Sequence, residues 1–300
     1  MRNLISVKQL NKKEIENILD EAAKMEKSLK SRKKLNLLFG KVVACLFFEP
    51  STRTRLSFEA AVLRLGGQVI SMENGGVSSS VFKGESIEDT IRIVQSYADV
   101  LIMRHPQNGA AEQAVKVAKV PFINAGDGGN QHPTQGLLDL YTIKKRLGRL
   151  DNLSLAMGFD PKHSRTIKSL CELLSMYKNN EIIFICPKEL DQPKNILLDL
   201  KKRGLKISVK RNLEEVLDVD ILYLNRLQNE RFSSQKEFEK LRHKYCLTAK
   251  MIKNKKALVM DPLPRIDEIT QDVDELPNAI YFEQAQNGLY IRMALLSMLG

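Results

Sequence analysis

The chain has 300 residues, 43% of them hydrophobic, which is more than one compact domain usually holds and enough to bury two sizeable cores. No apolar run reaches the roughly 18 residues that span a bilayer, and Met1-Arg2-Asn3-Leu4-Ile5-Ser6 lacks the apolar core of a secretory leader, so a cytoplasmic protein without a membrane partner is expected. The net charge of +11 raises the question of a polyanion partner, but pairs such as Lys12-Lys13, Lys144-Lys145, Lys201-Lys202 and Lys255-Lys256 are scattered without an aromatic-interleaved basic tract, which argues against nucleic acid.

Along the chain, apolar runs rich in Val, Ile, Leu and Phe predict strands over 42–48, 68–72, 99–103 and 120–124, interleaved with helices over 51–65, 87–98 and 110–118. A long helix over 133–147 follows. Further strands over 153–157, 181–186, 205–210, 220–224 and 256–260 alternate with helices over 165–177 and 195–203. Such alternation predicts an α/β fold with two parallel-sheet domains, 1–148 and 149–285, hinged near Gly148-Arg149-Leu150-Asp151-Asn152, with the active site in the cleft. The last segment is apolar at helical spacing, and a helix over 286–300 is expected to return to the first domain. Cys45, Cys171, Cys186 and Cys246 form no CxxC pair and three of them sit in apolar runs, so buried free thiols are expected, with no metal and no cofactor.

The most informative stretch is Pro50-Ser51-Thr52-Arg53-Thr54-Arg55, which follows the first predicted strand and opens a helix. A Ser-Thr-rich helix entry alone is an N-cap. Here two arginines sit at the positive end of a helix, which is unfavourable unless something negative is bound. Free backbone N–H groups, three hydroxyls and the Arg53 guanidinium make a phosphate cradle. Other polar clusters also follow predicted strands: Arg104-His105-Pro106, then the stretch from Asn124 through Asn130-Gln131-His132-Pro133-Thr134-Gln135, and Asp261-Pro262-Leu263-Pro264-Arg265. Loops at strand C-terminal ends converge on one crevice when a sheet is doubly wound.

Phe47-Phe48-Glu49-Pro50-Ser51-Thr52-Arg53-Thr54-Arg55-Leu56-Ser57-Phe58-Glu59, Lys83-Gly84-Glu85, Met103-Arg104-His105-Pro106, 130–135, Pro262-Leu263-Pro264-Arg265-Ile266-Asp267-Glu268 and Asn287-Gly288 occur in this order. Together they resemble the catalytic chains of the aspartate/ornithine carbamoyltransferase family, on the aspartate side. The resemblance implies transfer of the carbamoyl group of carbamoyl phosphate to the α-amine of L-aspartate, the first committed step of pyrimidine synthesis. It assigns phosphate to Ser51, Thr52, Arg53 and Thr54, and the carbamoyl oxygen to Thr54, Arg104 and His132. Gln135 and the Leu263 carbonyl hold the carbamoyl NH2, with Pro264 beside them. Aspartate carboxylates go to Arg165 and Arg226, with Gln228 orienting, because planar bidentate donors suit carboxylates. Ser79 and Lys83 read locally as a flexible loop ending at a helix start; the resemblance has them serve a neighbour's site, which would make a homotrimer obligatory. A separate regulatory chain, as in allosteric members, is left open.

Three features depart from the common pattern: Asp261 stands where most relatives have histidine before Pro-Leu-Pro, Phe159-Asp160-Pro161 where they have Gly-Asp, and the 78–85 loop has one lysine, Lys83, preceded by Phe82. An ornithine carbamoyltransferase shares the cradle but normally carries His-Cys-Leu-Pro at 261–264, and this chain lacks that cysteine. A non-catalytic phosphate- or nucleotide-binding α/β module would need a glycine fingerprint such as GxGxxG after the first strand, and none is present.

Overall fold

The computed structural model describes residues 2–73, 84–227, 232, 234–242 and 245–299, so the expectations placed on Ser79, Lys83 and Gln228 lie outside the described residues. The chain divides into two units, Met1–Tyr141 with Gln286–Gly300, and Thr142–Ala285.

The first unit runs β1 (Asn3–Leu4), α1 (Lys12–Lys30), β2 (Val42–Phe47), α2 (Thr52–Arg64), β3 (Gln68–Glu73), α3 (Ile87–Val94), β4 (Val100–His105), α4 (Ala110–Val117), β5 (Phe122–Asp127) and the start of α5 (Pro133–Leu147). Among the described residues its strands form one five-stranded sheet in the order β1-β5-β4-β2-β3, every pair parallel. Val43 through Phe47 are buried, as a central strand covered by helices on both faces requires. Ala44, Leu46, Leu101, Met103 and Phe122 pack against Ile91 of α3 and Ala110, Ala111 and Ala114 of α4, whose small side chains let that helix lie close to the sheet. Each fully buried Leu, Ile or Phe of this kind contributes about 1.5–3 kcal/mol.

β1 and α1 add to the sequence expectation. The two-residue edge strand is too short to show a period, and Asn3 pairs with Phe122. The helix carries a reciprocal cap in which the Asn11 side chain accepts from Glu14 N and the Glu14 carboxylate accepts from Asn11 N, with Ile15, Ile18, Leu19, Ala22 and Met25 buried along one stripe.

The second unit runs β6 (Ser154–Gly158), α6 (Arg165–Leu174), β7 (Glu181–Ile185), α7 (Lys194–Lys202), β8 (Lys206–Lys210), β9 (Ile221–Leu224), α8 (Gln235–Arg242), α9 (Ala249–Ile252) and β10 (Leu258–Met260). Its described strands make a second five-stranded parallel sheet, β10-β9-β6-β7-β8. The core gathers Ala156, Phe159, Leu222, Leu224, Tyr245, Val259 and Tyr281. The last helix, α10 (Tyr281–Leu299), starts earlier than the apolar spacing from Asn287 suggests, because Glu283, Gln284 and Gln286 interrupt that spacing without breaking the helix.

Cys45, Cys171 and Cys186 are buried free thiols and Cys246 is partly buried. Burial pushes the Cys45 thiol up to about 12, and burial with the neighbouring Asp191 pushes Cys186 up to about 12. Among the described residues no helix is long and apolar enough to cross a membrane.

Candidate functional site

In the first sheet the connections leave the centre in opposite directions, β2 to β3 on one side and β4 to β5 on the other, so β2 and β4 flank the point where strand order reverses. Ligands in open α/β sheets sit outside the C-terminal ends of such a pair. Phe47 is in register with Arg104, and Phe48 N donates to the Arg104 carbonyl at 2.9 Å, so the entry to α2 and the end of β4 are held side by side.

Ser51 occupies the N-cap position of α2 but makes no side-chain capping bond, and the first turn carries no acid. By contrast Ser86 and Ser164 both cap their helices, and Glu14, Glu88 with Asp89, and Glu112 lie in the first turns of α1, α3 and α4. The first turn of α2 therefore keeps its positive end uncompensated by its own residues. Ser51 is half-buried, Thr52 and Arg53 are exposed, and Thr54 is buried. The second arginine has a different role from the one its position suggests. Arg55 pairs with Glu73 at 2.7 Å and lies 3.8 Å from Glu59, so carboxylates of the same chain, rather than a ligand, answer its charge.

Arg104 is mostly buried and its Nη2 lies 2.9 Å from Glu49. The pair links the loop after β2 to the end of β4, and a guanidinium carries five donors in all. His105 points into a separate setting: its ring packs on Phe48 at 5.0 Å, its Nδ1 accepts from Gln107 N, and burial lowers its pKa.

The next loop is braced by Asp127, itself 1% exposed. Its carboxylate accepts from Gly109 N, Asn124 Nδ2, Asn130 Nδ2 and Gln131 N at 2.9–3.2 Å. Gly128 is confined as well, with φ +50° and an imagined Cβ only 2.0 Å from Asn108 Oδ1. This frame delivers buried His132 to the start of α5, where its carbonyl accepts from Gln135 N and Gly136 N. Gln135 follows on the first turn and its Nε2 donates to Asp139 at 2.8 Å. Ser51 through Thr54, Arg104, His132 and Gln135 are thus all carried at the C-terminal ends of three neighbouring strands, β2, β4 and β5.

The second sheet reverses order between β6 and β9. Phe159 N donates to the Asn225 carbonyl at 3.0 Å across these ends. Buried Asp160 receives His163 N and the His163 ring, and its carbonyl receives Ser164 N, a local brace for the start of α6 at Arg165. Arg226 lies two residues after the end of β9, with Nη1 donating to the Leu227 carbonyl at 3.1 Å. It lines a cavity of about 210 Å³ with Phe159, Phe238, Tyr245, Arg242 and Glu268. Glu268, 3% exposed, accepts from Ile266 N and Asp267 N through Oε2.

Two of the departures noted in the sequence have physical reasons. Phe159 is 1% exposed and stacks on Tyr245 at 4.9 Å and 14°, so it fills core volume that glycine would leave open. Asp261, 1% exposed, accepts from Leu263 N at 2.6 Å and donates its own N–H to Gln284. It braces the turn in which Leu263 takes φ +56°, an uncommon conformation for leucine. Arg265 is structural, gripping Asp274 with both nitrogens and Tyr281 at 2.9 Å.

Glu49, Asp127 and Asp160 occur within the named sequence stretches without an assigned role, and Asp139 occurs in none of them. Each is an acid beside or within a motif that reads locally as a turn or helix-face residue, and only the fold shows that three of them are buried.

Residues 2–145 match the family described as "Aspartate/ornithine carbamoyltransferase, carbamoyl-P binding domain", and residues 151–299 match "Aspartate/ornithine carbamoyltransferase, Asp/Orn binding domain". The chain is 51% identical over 300 residues to the aspartate carbamoyltransferase catalytic subunit of Methanocaldococcus jannaschii, covering 100% of this chain and 98% of that protein. It is similar to a crystal form of the catalytic subunit of M. jannaschii aspartate transcarbamoylase, with TM-score 0.94 and 51% identity over 100% of this chain and 98% of that one. It is also similar to the Trypanosoma cruzi aspartate transcarbamoylase solved with carbamoyl phosphate and aspartate, with TM-score 0.91 and 37% identity over 99% of this chain and 94% of that one.

Proposed function

The chain belongs to the aspartate/ornithine carbamoyltransferase family, and on that footing we propose that it transfers the carbamoyl group of carbamoyl phosphate to the α-amine of L-aspartate, releasing N-carbamoyl-L-aspartate and phosphate. The observation that carries this reading is the uncompensated start of α2 beside Arg104 at the reversal point of the first sheet.

Ser51, Thr52, Arg53 and Thr54 bind the dianionic phosphate through backbone N–H groups, hydroxyls and the guanidinium. Thr54, Arg104 and His132 donate to the carbamoyl oxygen, where negative charge grows as the neutral amine attacks. Gln135, the Leu263 carbonyl and Pro264 hold the carbamoyl NH2 end. The new C–N bond forms, the C–O bond to phosphate breaks, and the departing phosphate takes the proton that the attacking nitrogen sheds. No side-chain nucleophile is needed. Positioning of two reactants supplies much of the rate.

Arg165, Arg226 and Gln228 bind the two carboxylates of aspartate. Ser79 and Lys83 act on phosphate and aspartate in a neighbouring subunit, so the active form is a homotrimer with shared sites. The reaction serves pyrimidine synthesis in the cytoplasm, and an additional regulatory chain would make the assembly allosteric.

One assay tests the reading: carbamoyl phosphate with either aspartate or ornithine, following phosphate release. Turnover with aspartate and none with ornithine is expected. Comparable turnover of ornithine overturns the substrate assignment.

A further inference from the structure

Two buried charges of the first unit take no part in the proposed reaction. Asp139 is 0% exposed and Arg292, on α10, is 3% exposed. Arg292 Nη2 reaches Thr134 Oγ1 at 3.4 Å, and its guanidinium carbon lies 5.0 Å over the ring of Phe58, a buried residue of α2. It therefore touches both helices of the first unit whose first turns carry proposed substrate ligands. Burial above all, then the like charge of Arg104, pushes Arg292 down to about 9, while Asp139 pulls it back up.

Room for this guanidinium is made by Gly288, one turn earlier on the same helix. A Cβ at that position would lie 2.3 Å from Arg292 Nη1, closer than real atoms approach. The Asn287-Gly288 motif, to which the proposed reaction gives no role, thus answers a need for space beside a buried cation.

Asp139 sits one turn after Gln135 on α5 and accepts from Gln135 Nε2 at 2.8 Å. In this hydrogen bond the amide turns its nitrogen toward Asp139, which leaves Oε1 as the atom it presents elsewhere. An amide oxygen accepts from an NH2 group and has nothing to offer a methyl group.

We propose that Asp139, on the helix whose start Arg292 contacts through Thr134, is a positioning residue that fixes the Gln135 amide oxygen toward the substrate and so selects an acyl phosphate bearing NH2 over one bearing CH3. The inference rests on the proposed function, and the controls separate the two. Carbamoyl phosphate is the NH2 compound and acetyl phosphate the methyl one. Inorganic phosphate reports on the cradle alone.

The test measures KM for carbamoyl phosphate and the competitive inhibition constants of acetyl phosphate and inorganic phosphate, with aspartate saturating. Asp139→Asn, whose amide presents either a donor or an acceptor to Gln135, is expected to weaken carbamoyl phosphate about fivefold or more, the worth of one hydrogen bond. Acetyl phosphate and inorganic phosphate should inhibit as before. Gly288→Ala improves helix propensity while crowding Arg292, so it should narrow the carbamoyl-to-acetyl preference in the same direction without loss of helix. In a Gln135→Met background Asp139→Asn should have no further effect on that preference.

An unchanged preference in both single variants overturns the proposal. Equal weakening of all three ligands also overturns it, since that is what a merely structural role predicts. If Asp139→Asn does not fold, Gly288→Ala decides alone, and an unchanged preference there is sufficient to reject it. A wild-type protein that releases no phosphate from carbamoyl phosphate and aspartate rejects the function itself, and the inference falls with it.

Discussion

The two sheets reverse strand order at their centres, yet the charged residues at the two reversal points are held differently. In the first unit two of the proposed ligands are backed by buried acids: Asp127 ties four donors around the loop before His132, and Asp139 turns the Gln135 amide. In the second unit Asp160 fixes the backbone and the His163 ring at the entry to α6, and Arg165 and Arg226 are half-buried. The difference matches what each ligand demands. A carbamoyl oxygen gains charge only in the transition state, so its donors must be in place beforehand, whereas a carboxylate is charged throughout and tolerates donors that adjust.

The contrast breaks most visibly at Arg53. Arg53→Ala should lower kcat by about 10³-fold, the scale of losing a donor to the phosphate that departs with the C–O electron pair, and should weaken phosphate inhibition as well. A change confined to the KM for aspartate would remove the cradle from the mechanism. Next comes Arg226→Ala, expected to raise the KM for aspartate on the order of a hundredfold through loss of a charge-assisted pair, with carbamoyl phosphate affinity kept within about twofold. If both substrates weakened together, the two units would not divide the ligands as proposed.

A fourfold effect sharpens the comparison from outside the described residues. Mixed chains carrying Arg53→Ala and Lys83→Ala, each inactive alone, should recover about a quarter of the wild-type sites after subunit exchange, because a random closed ring unites an intact cradle with an intact loop at that frequency. Exchange demonstrated by mass measurement without recovered activity would exclude a shared site.

The smallest effect concerns what holds the second unit rigid. Arg265 keeps the Asp274 carboxyl below the usual carboxylate range through a two-nitrogen grip. That stabilisation is present above the unfolded value of about 3.9 and is lost as pH falls through the lower folded value. Asp274→Asn should therefore cost about 1–2 kcal/mol at neutral pH, and the gap from wild type should shrink near about pH 3.5, read from urea midpoints. A gap that widened on acidification would mean the pair is not what is being titrated.

Much of this was legible in the chain because parallel strands buried on both faces read as unbroken apolar runs. Val42 through Phe47 needs no partner to be recognised. Helix α5 was readable to the residue, since Pro133 can only open a helix and Gly148 ends one. Helix α1 carried its capping pair and apolar stripe in plain sight but lacks an adjoining strand signal. The buried acids were not readable at all: Asp139 at the middle of a helix looks like a solvated face until Arg292, 153 positions later, is seen to share its unit. Long-range pairing of charge leaves no local period to detect.

The thiols described in the fold give the protein a built-in stopwatch for each half. Cys45 sits within β2, one residue type and one sheet, while Cys171 and Cys186 belong to the other unit. A buried thiol whose pKa is raised reacts with an alkylating reagent only when its surroundings open. Labelling at Cys45 would then time the opening of the first unit and labelling at Cys171 that of the second, in one unmodified chain. A phosphate analogue should slow the first clock and leave the second running, which turns the division of labour between the halves into a difference of two rates.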